Sequence, residues 1–367
     1  MGLFRPVGLR VGPRSVICVL LGWFPLVVLV LGSDLHGPPT FASFIADFGV
    51  HTRSLVAAPF FVLCELICLK RLNEIARYFL TSGLLQDQDR DKFNSLVHST
   101  KTLMNSTIAE IVAIFISFLT AVALFRLLAV NTLPPWYLAD AATHRLSVAG
   151  VWYVFVSVPL LIILFLGWLW RVFLWGRFLF HLARFKLRLV AAHPDHAAGL
   201  KFLNAAIFAF IPLAFTMGLI VAGSAANRVA YRGASWDELQ TSIAGLLLLV
   251  LVLFPGPLLV FTFKLHRQKI VGIFRYGLLA HSVGVQFEKK WLAQNQRVTE
   301  NALEVEDFSA TTDLYQVVSN VYDISILPFE IRTLVALCVV TLLPFVPVVL
   351  MFFPLKVILN EIAILLF

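Results

Sequence analysis

The sequence predicts an all-α fold, a polytopic bundle of about seven transmembrane helices with a helical cytoplasmic extension. Three observations carry this. The 367 residues are 59% hydrophobic and only 14% charged, against about 45–50% and 25% in soluble domains. Mean hydropathy is +0.87. The apolar residues also gather into stretches close to the ~20 residues with which a helix crosses the hydrocarbon core.

Seven stretches qualify: 15–31, 54–69, 107–130, 149–174, 202–223, 241–263 and 332–353. The first follows Arg5, Arg10 and Arg14, and no small-residue cleavage site follows VLVLGSD. It reads as a retained signal-anchor helix. The chain then divides into 1–69 (two spans), 70–106 (a cytoplasmic helical hairpin), 107–263 (spans three to six), 264–331 (a cytoplasmic helical segment) and 332–367 (a proline-broken span and tail). The last residues, LKVILNEIAILLF at 355–367, are too few to span alone, so a re-entrant or interfacial ending is open.

Orientation follows from charge. With the N-terminus inside, the segments 1–14, 70–106, 171–201 and 264–332 hold 23 of the 29 Lys and Arg residues. The others are Arg53, Arg126, Arg145, Arg228, Arg232 and Lys356. Cytoplasmic loops carry such an excess. The expectation is an inner (plasma) membrane protein, N-terminus cytoplasmic and C-terminus periplasmic. The net charge of +8 is thereby assigned to topology, and no nucleic acid is expected.

Cys18, Cys64, Cys68 and Cys338 all fall in apolar segments, which argues against a disulfide framework. No dense His/Cys/Asp spacing predicts a metal site, and no P-loop, HExxH, GxSxG or dinucleotide fingerprint is present. No cofactor is expected, and an enzyme is the less favoured class.

The stretch RFKLRLVAAHPDHAAGLKFL at 184–203 carries His193-Pro194-Asp195, the tripeptide of a J-domain. A J-domain needs two further helices after it, whereas this chain enters an apolar span, so that reading fails. Pro194 disfavours helix at His193, and Asp195 is placed to cap the fifth span. The alternative is a functional His/Asp site. Residues 175–190 are read as a basic amphipathic helix offering Arg177, Arg184 and Arg188 to anionic headgroups.

Several elements together resemble a family of uncharacterised bacterial multi-pass inner-membrane proteins. They are GWFPL at 22–26, SFIADFGVHTRSLVAAPFFVLCE at 43–65, GVWYVFVSVPLL at 150–161, WLWRVFLWGRFL at 168–179, the HPD turn with Gly199, FEKKW at 287–291 and LLPFVPVVL at 342–350. The family pattern has Gly-Gly after HPD, where this chain has Ala198-Gly199. The resemblance implies the topology and no activity.

Charges at membrane depth are functional-site hypotheses by default. Glu65 and Glu110 fall about one turn inside spans two and three, with Arg171 at a similar level and His193 and Asp195 just below. They form either an ion- or proton-handling vestibule or a Glu–Arg pairing that holds the spans together; snorkelling is a third possibility. Asp47, His51, Arg53 and Arg126 form an outer collar or an ion entrance. Pro255 with Pro257, and Pro344 with Pro347, mark the most interrupted helices, candidates for pore lining or hinges.

Ala109/Ala113 and Gly218/Ala222 allow close helix contact within the chain or in a homo-oligomer. The resulting expectation is an oligomeric ion channel or small-solute transporter with a glutamate-lined inner vestibule. The alternative is a scaffold or assembly partner that docks a protein on its cytoplasmic helices, and a lipid-acting membrane enzyme ranks below both.

Overall fold

The computed structural model describes residues 11–34, 40–128, 134–140, 145–292 and 307–353. Among these the chain is almost wholly helical, with one short antiparallel pair, β1 (Leu138–Asp140) and β2 (Arg145–Leu146). Seven helical stretches are long and apolar enough to cross a membrane: Val11–Asp34, Asp87–Arg126, Val148–Leu182, Lys201–Arg232, Trp236–Leu253, Gly256–Trp291 and Ile331–Phe352. The chain is an all-α integral membrane protein.

The count matches the sequence reading, but the membership differs at one place. The predicted span 54–69 falls on the π-helical turn His51–Ala57 and on α5 (Ala58–Thr81), which are not among the seven. Its apolar run lies between Arg53 and Lys70-Arg71 and is interrupted by Glu65, leaving it short of the ~20 residues a full crossing takes. In its place Gly256–Trp291 qualifies. The proposed ending of 355–367 lies outside the described residues.

Proline shapes the first helices. α1 (Val11–Gly22) and α2 (Phe24–Asp34) form one stretch bent at Trp23. Pro25 has no N–H for the carbonyl four residues back, and the Trp152 indole donates to that carbonyl, Leu21 O, at 3.0 Å. Two π-helical turns, His51–Ala57 and Tyr153–Ser157, lead into α5 and into α9 (Val158–Leu182). In each case a proline, Pro59 or Pro159, sits at the start of the following helix. The missing proline donor widens the turn before it, the local cause expected for a π-bulge.

Contacts fix the helix directions. Arg14 with Glu65, Gly22 beside Ser54, and Trp23 with His51 run in opposite order, so α5 returns antiparallel along α1. α10 (Asn204–Arg232) lies antiparallel to α5, matching Asn227 with Asp47, Gly223 with Thr52, and Cys68 with Ala209. α14 (Ile331–Leu342) runs parallel to α10, with Asn204 on Thr333 and Gly218 against Thr341. A Cβ at Gly218 would come within 2.2 Å of Thr341 O. This small residue therefore serves packing inside the chain.

The loops gather at two ends. At one end stand α3 (Phe41–Ile45), α4 (Phe48–Val50), the Pro135–Tyr137 turn and α8 (Val148–Trp152), with Phe44, Trp136, Tyr137 and Tyr153 in one aromatic core. This is the Asp47 end. Trp136 is 1% exposed and belongs to this core.

The other end carries α6 (Arg90–Met104), the 183–203 segment, α12 (Thr262–Trp291) and α13 (Asp307–Tyr322). Between the ends run α7 (Thr107–Leu128), α11 (Trp236–Leu253) and α15 (Val346–Phe352). The amphipathic helix expected over 175–190 stops at Leu182. Beyond it the chain is extended, because neighbours satisfy its backbone: Arg188 N donates to Leu84 O at 2.8 Å, Gln268 reaches Leu189 O at 3.0 Å, and Lys264 bonds Phe185 O.

Candidate functional site

Glu65 lies in the middle of the bundle with its side chain 5% exposed. Its Oε1 accepts from Arg171 Nη2 at 2.7 Å, and its Oε2 from Arg14 Nη1 at 2.8 Å. Arg171 also lies over the Trp168 ring at 5.0 Å, while Trp168 Nε1 donates to Phe61 O at 2.8 Å. One carboxylate thus ties α1, α5 and α9 together. Glu110 is elsewhere: α7 packs on α9 and the π-turn before it, not on α5 as a main neighbour.

His193 and Asp195 form a closed turn. His193 Nδ1 is 2.8 Å from Asp195 Oδ1. The same carboxylate accepts backbone N–H groups of Ala197 (2.9 Å), Gly199 (3.0 Å) and Lys201 (3.0 Å). His196, Ala198 and Gly199 take positive φ angles of 52°, 54° and 92°, which is how the backbone aims several N–H groups inward. Lys201 opens the short turn that leads into α10. Ser325 N donates to His196 O at 2.7 Å, tying the turn to the α13–α14 connection.

Burial raises the Asp195 pKa, but the three backbone donors and His193 outweigh it and hold the carboxyl below its ordinary value. A depressed folded value stabilises above the unfolded pKa of about 4 and is lost as pH falls through the lower folded value. Asp195→Ala is therefore expected to cost about 2 kcal/mol at neutral pH. In a pH series of unfolding midpoints, the gap between variant and parent closes in acid.

The marked prolines coincide with interruptions. Pro255 and Pro257 flank the break where the Gly256–Phe261 turn separates α11 from α12, and Pro344 and Pro347 lie in and after the Leu343–Phe345 turn between α14 and α15.

At the Asp47 end the geometry converges. Asp47 is 0% exposed. Its Oδ1 accepts from Asn227 Nδ2 at 2.6 Å and Val50 N at 3.0 Å, and its Oδ2 from Trp136 Nε1 at 3.1 Å. Arg53 donates from Nε to Gly49 O at 2.8 Å and lies over the Tyr153 ring at 5.8 Å. A Cβ at Gly49 would stand 2.7 Å from both Arg53 Nη2 and Asn227 Nδ2, so a larger residue would displace these two side chains. His51 Nδ1 accepts from Trp23 Nε1 at 2.9 Å, leaving Nε2 facing the Phe44 and Ile45 carbonyls. Arg126 is exposed on the last turn of α7.

Beside this cluster lies a cavity of 590 Å³ between α7, the second π-turn and α10. Its wall carries three arginines, Arg53, Arg228 and Arg232, with Asp47, Ser224, Asn227 and Tyr137, Tyr153 and Tyr231; the rest is apolar. Arg228 also reaches Ser242 Oγ at 2.8 Å. Burial, then Tyr153 and Asp47, push the Tyr137 phenol well above its ordinary pKa, which keeps it a neutral donor. Three guanidinium groups against one carboxylate give the cavity a net positive wall.

Sequence reading placed Asp47, His51 and Arg53 together but missed Arg14, Trp136, Asn227, Arg228 and Arg232. A signal for two of them was available. Arg228 and Arg232 are among the six basic residues that violate the inside excess, and with Arg53 they meet at one cavity.

No protein-family model matches the chain, and no curated protein or solved structure does. The family stays open. The resemblance to bacterial inner-membrane proteins gains nothing from these comparisons, and function has to be argued from the site alone. Among the described residues, no group of three or more His, Cys, Asp or Glu side chains could hold a metal ion.

Proposed function

We propose that the protein is a small-solute transporter or ion channel whose solute is an anion, admitted through the cavity at the Asp47 end. The observation that carries this is the wall of Arg53, Arg228 and Arg232 around a 590 Å³ space. Intramembrane charges are costly and mark solute pathways, and arginine is the side chain best suited to carboxylate or phosphate oxygens. The cavity lies within one chain, which favours a carrier over a pore between subunits. About 18 Å deeper along α5, at 1.5 Å per residue, the Arg14–Glu65–Arg171 group closes the bundle. In this reading it is a shut ion-pair gate and not an open vestibule. The positive-inside excess assigns the Asp47 end to the outside.

Reconstitution into liposomes tests it, with tracer uptake of chloride, nitrate, phosphate and small carboxylates. Uptake of at least one anion is expected, and Arg53→Gln and Arg228→Gln should each lower it by about tenfold, the effect of ~1.4 kcal/mol. Absence of any anion flux, or flux unchanged in both variants, would sink the proposal.

One feature favours a scaffold as the second reading. α12 leaves Phe263, Ile270, Phe274 and Leu278 exposed at helical spacing. Lys290 and Trp291 are occupied instead by Asp307 and Phe308 of α13. Copurification of one partner at fixed stoichiometry, lost with Phe274→Ser, would support this reading over transport.

A further inference from the structure

The face of α9 turned toward α6 and α7 carries Leu166, Trp170, Phe173, Arg177 and His181 at helical spacing. Two hollows follow one another along it. The first is an apolar groove of 490 Å³ between α7 and α9, floored by Ala109 and Ala113, with Ile108 and Phe173 as exposed lips. The second is a pocket of 280 Å³ between α6 and α9, where Lys92, Ser99, Arg177 and His181 meet over Leu96 and Phe185. Trp170 marks the junction, its Nε1 donating to Leu103 O at 3.2 Å.

We propose that this track binds one phospholipid with an anionic headgroup, its phosphate in the pocket and an acyl chain in the groove. Arg177 Nη1 is buried without a hydrogen-bond partner, and Arg177 Nη2 has only Ser99 Oγ at 3.4 Å. A buried guanidinium N–H left unmade is costly, and a phosphate oxygen satisfies it with a charge-assisted bond. Lys92, paired at 3.0 Å with Asp89, stands at the exposed rim of the pocket.

Dimensions agree. From Leu166 to His181 the helix rises about 22 Å, close to one leaflet of hydrocarbon, ~15 Å, plus a headgroup layer. The order also agrees, since the basic pocket lies at the His193 end, where basic residues concentrate. A soluble phosphate would use the pocket and leave the adjoining groove without a purpose. A zwitterionic headgroup would bring no net charge to three basic side chains.

The test is native mass spectrometry of the full chain in mild detergent, with phosphatidylglycerol and phosphatidylcholine of matched chains in equal amounts. The expected result is retention of one phosphatidylglycerol with about tenfold preference, each juxtaposed cation adding to it. Lys92→Gln and Arg177→Gln should each erase most of that preference, and Ala109→Phe, which fills the groove, should remove both lipids. Lys92 is exposed, so its variant reports binding without a folding defect. Equal retention of the two lipids, an unchanged Lys92→Gln, or displacement of the lipid by excess inorganic phosphate would overturn the proposal; the last would reassign the pocket to a soluble anion.

Discussion

Glu65→Ala is expected to lower unfolding free energy by about 3–5 kcal/mol, the cost of leaving a buried charge without its partner. Glu65 is bonded by Arg171, whose side chain is 5% exposed, and by Arg14, which is 23% exposed. Removing the carboxylate strands the first inside the bundle while the second can turn toward the surface. Arg14→Ala should accordingly cost only about 1 kcal/mol or less, as for a pair with one accessible member. Thermal unfolding of the detergent-purified variants checks both. A Glu65→Ala protein as stable as its parent would show that this ion group does not hold α1, α5 and α9.

A loss of similar size, about 3–5 kcal/mol, is expected for Asp47→Ala. Three donors lose their acceptor together: Val50 N, Asn227 Nδ2 and Trp136 Nε1. Arg53 loses the nearest negative charge at the same moment. Asp47→Asn should fall between variant and parent, because its oxygen can serve two donors while its amide brings N–H groups to a place already full of them. The same unfolding measurement reads it, and a cost under about 1 kcal/mol would remove Asp47 from the centre of the cluster.

Much of the fold was legible in sequence because membrane helices advertise themselves by length and apolarity. Six of the seven predicted spans overlap crossing-competent stretches. The predicted span 54–69 became α5 and the turn before it, whose apolar run is short and flanked by charge; its place between α1 and α10 follows from packing, which no local pattern encodes. The extended course of 184–190 was hidden for a related reason. RFKLRLV has helical periodicity, yet Leu84, Lys264 and Gln268 take over its backbone groups, and tertiary bonding overrides propensity.

The site was less legible. Glu65 stood out as an acidic residue in an apolar run, and Arg171 could be matched by depth. Arg14, however, looked like an ordinary flanking charge, and only the antiparallel return of α5 brings it to Glu65. Asp47, His51 and Arg53 are neighbours in sequence and were found together. Asn227 and Trp136 come from remote segments, 180 and 89 residues from Asp47, and neither carries a charge to draw notice.

The cavity at the Asp47 end is proposed as an anion-attracting entrance. Thiol labelling of Ser224→Cys tests it most directly, with Cys338 changed to Ser and the other three cysteines buried. Ser224 is on the cavity wall. Negatively and positively charged thiosulfonates of similar size would be applied from each side of sealed vesicles. The account predicts labelling from the outer side, at least about tenfold faster with the negative reagent, through focusing of the field by the arginines. It also predicts loss of that preference in an Arg53→Gln, Arg228→Gln background. Equal rates, faster reaction of the positive reagent, or labelling only from the side of the His193 turn would contradict it.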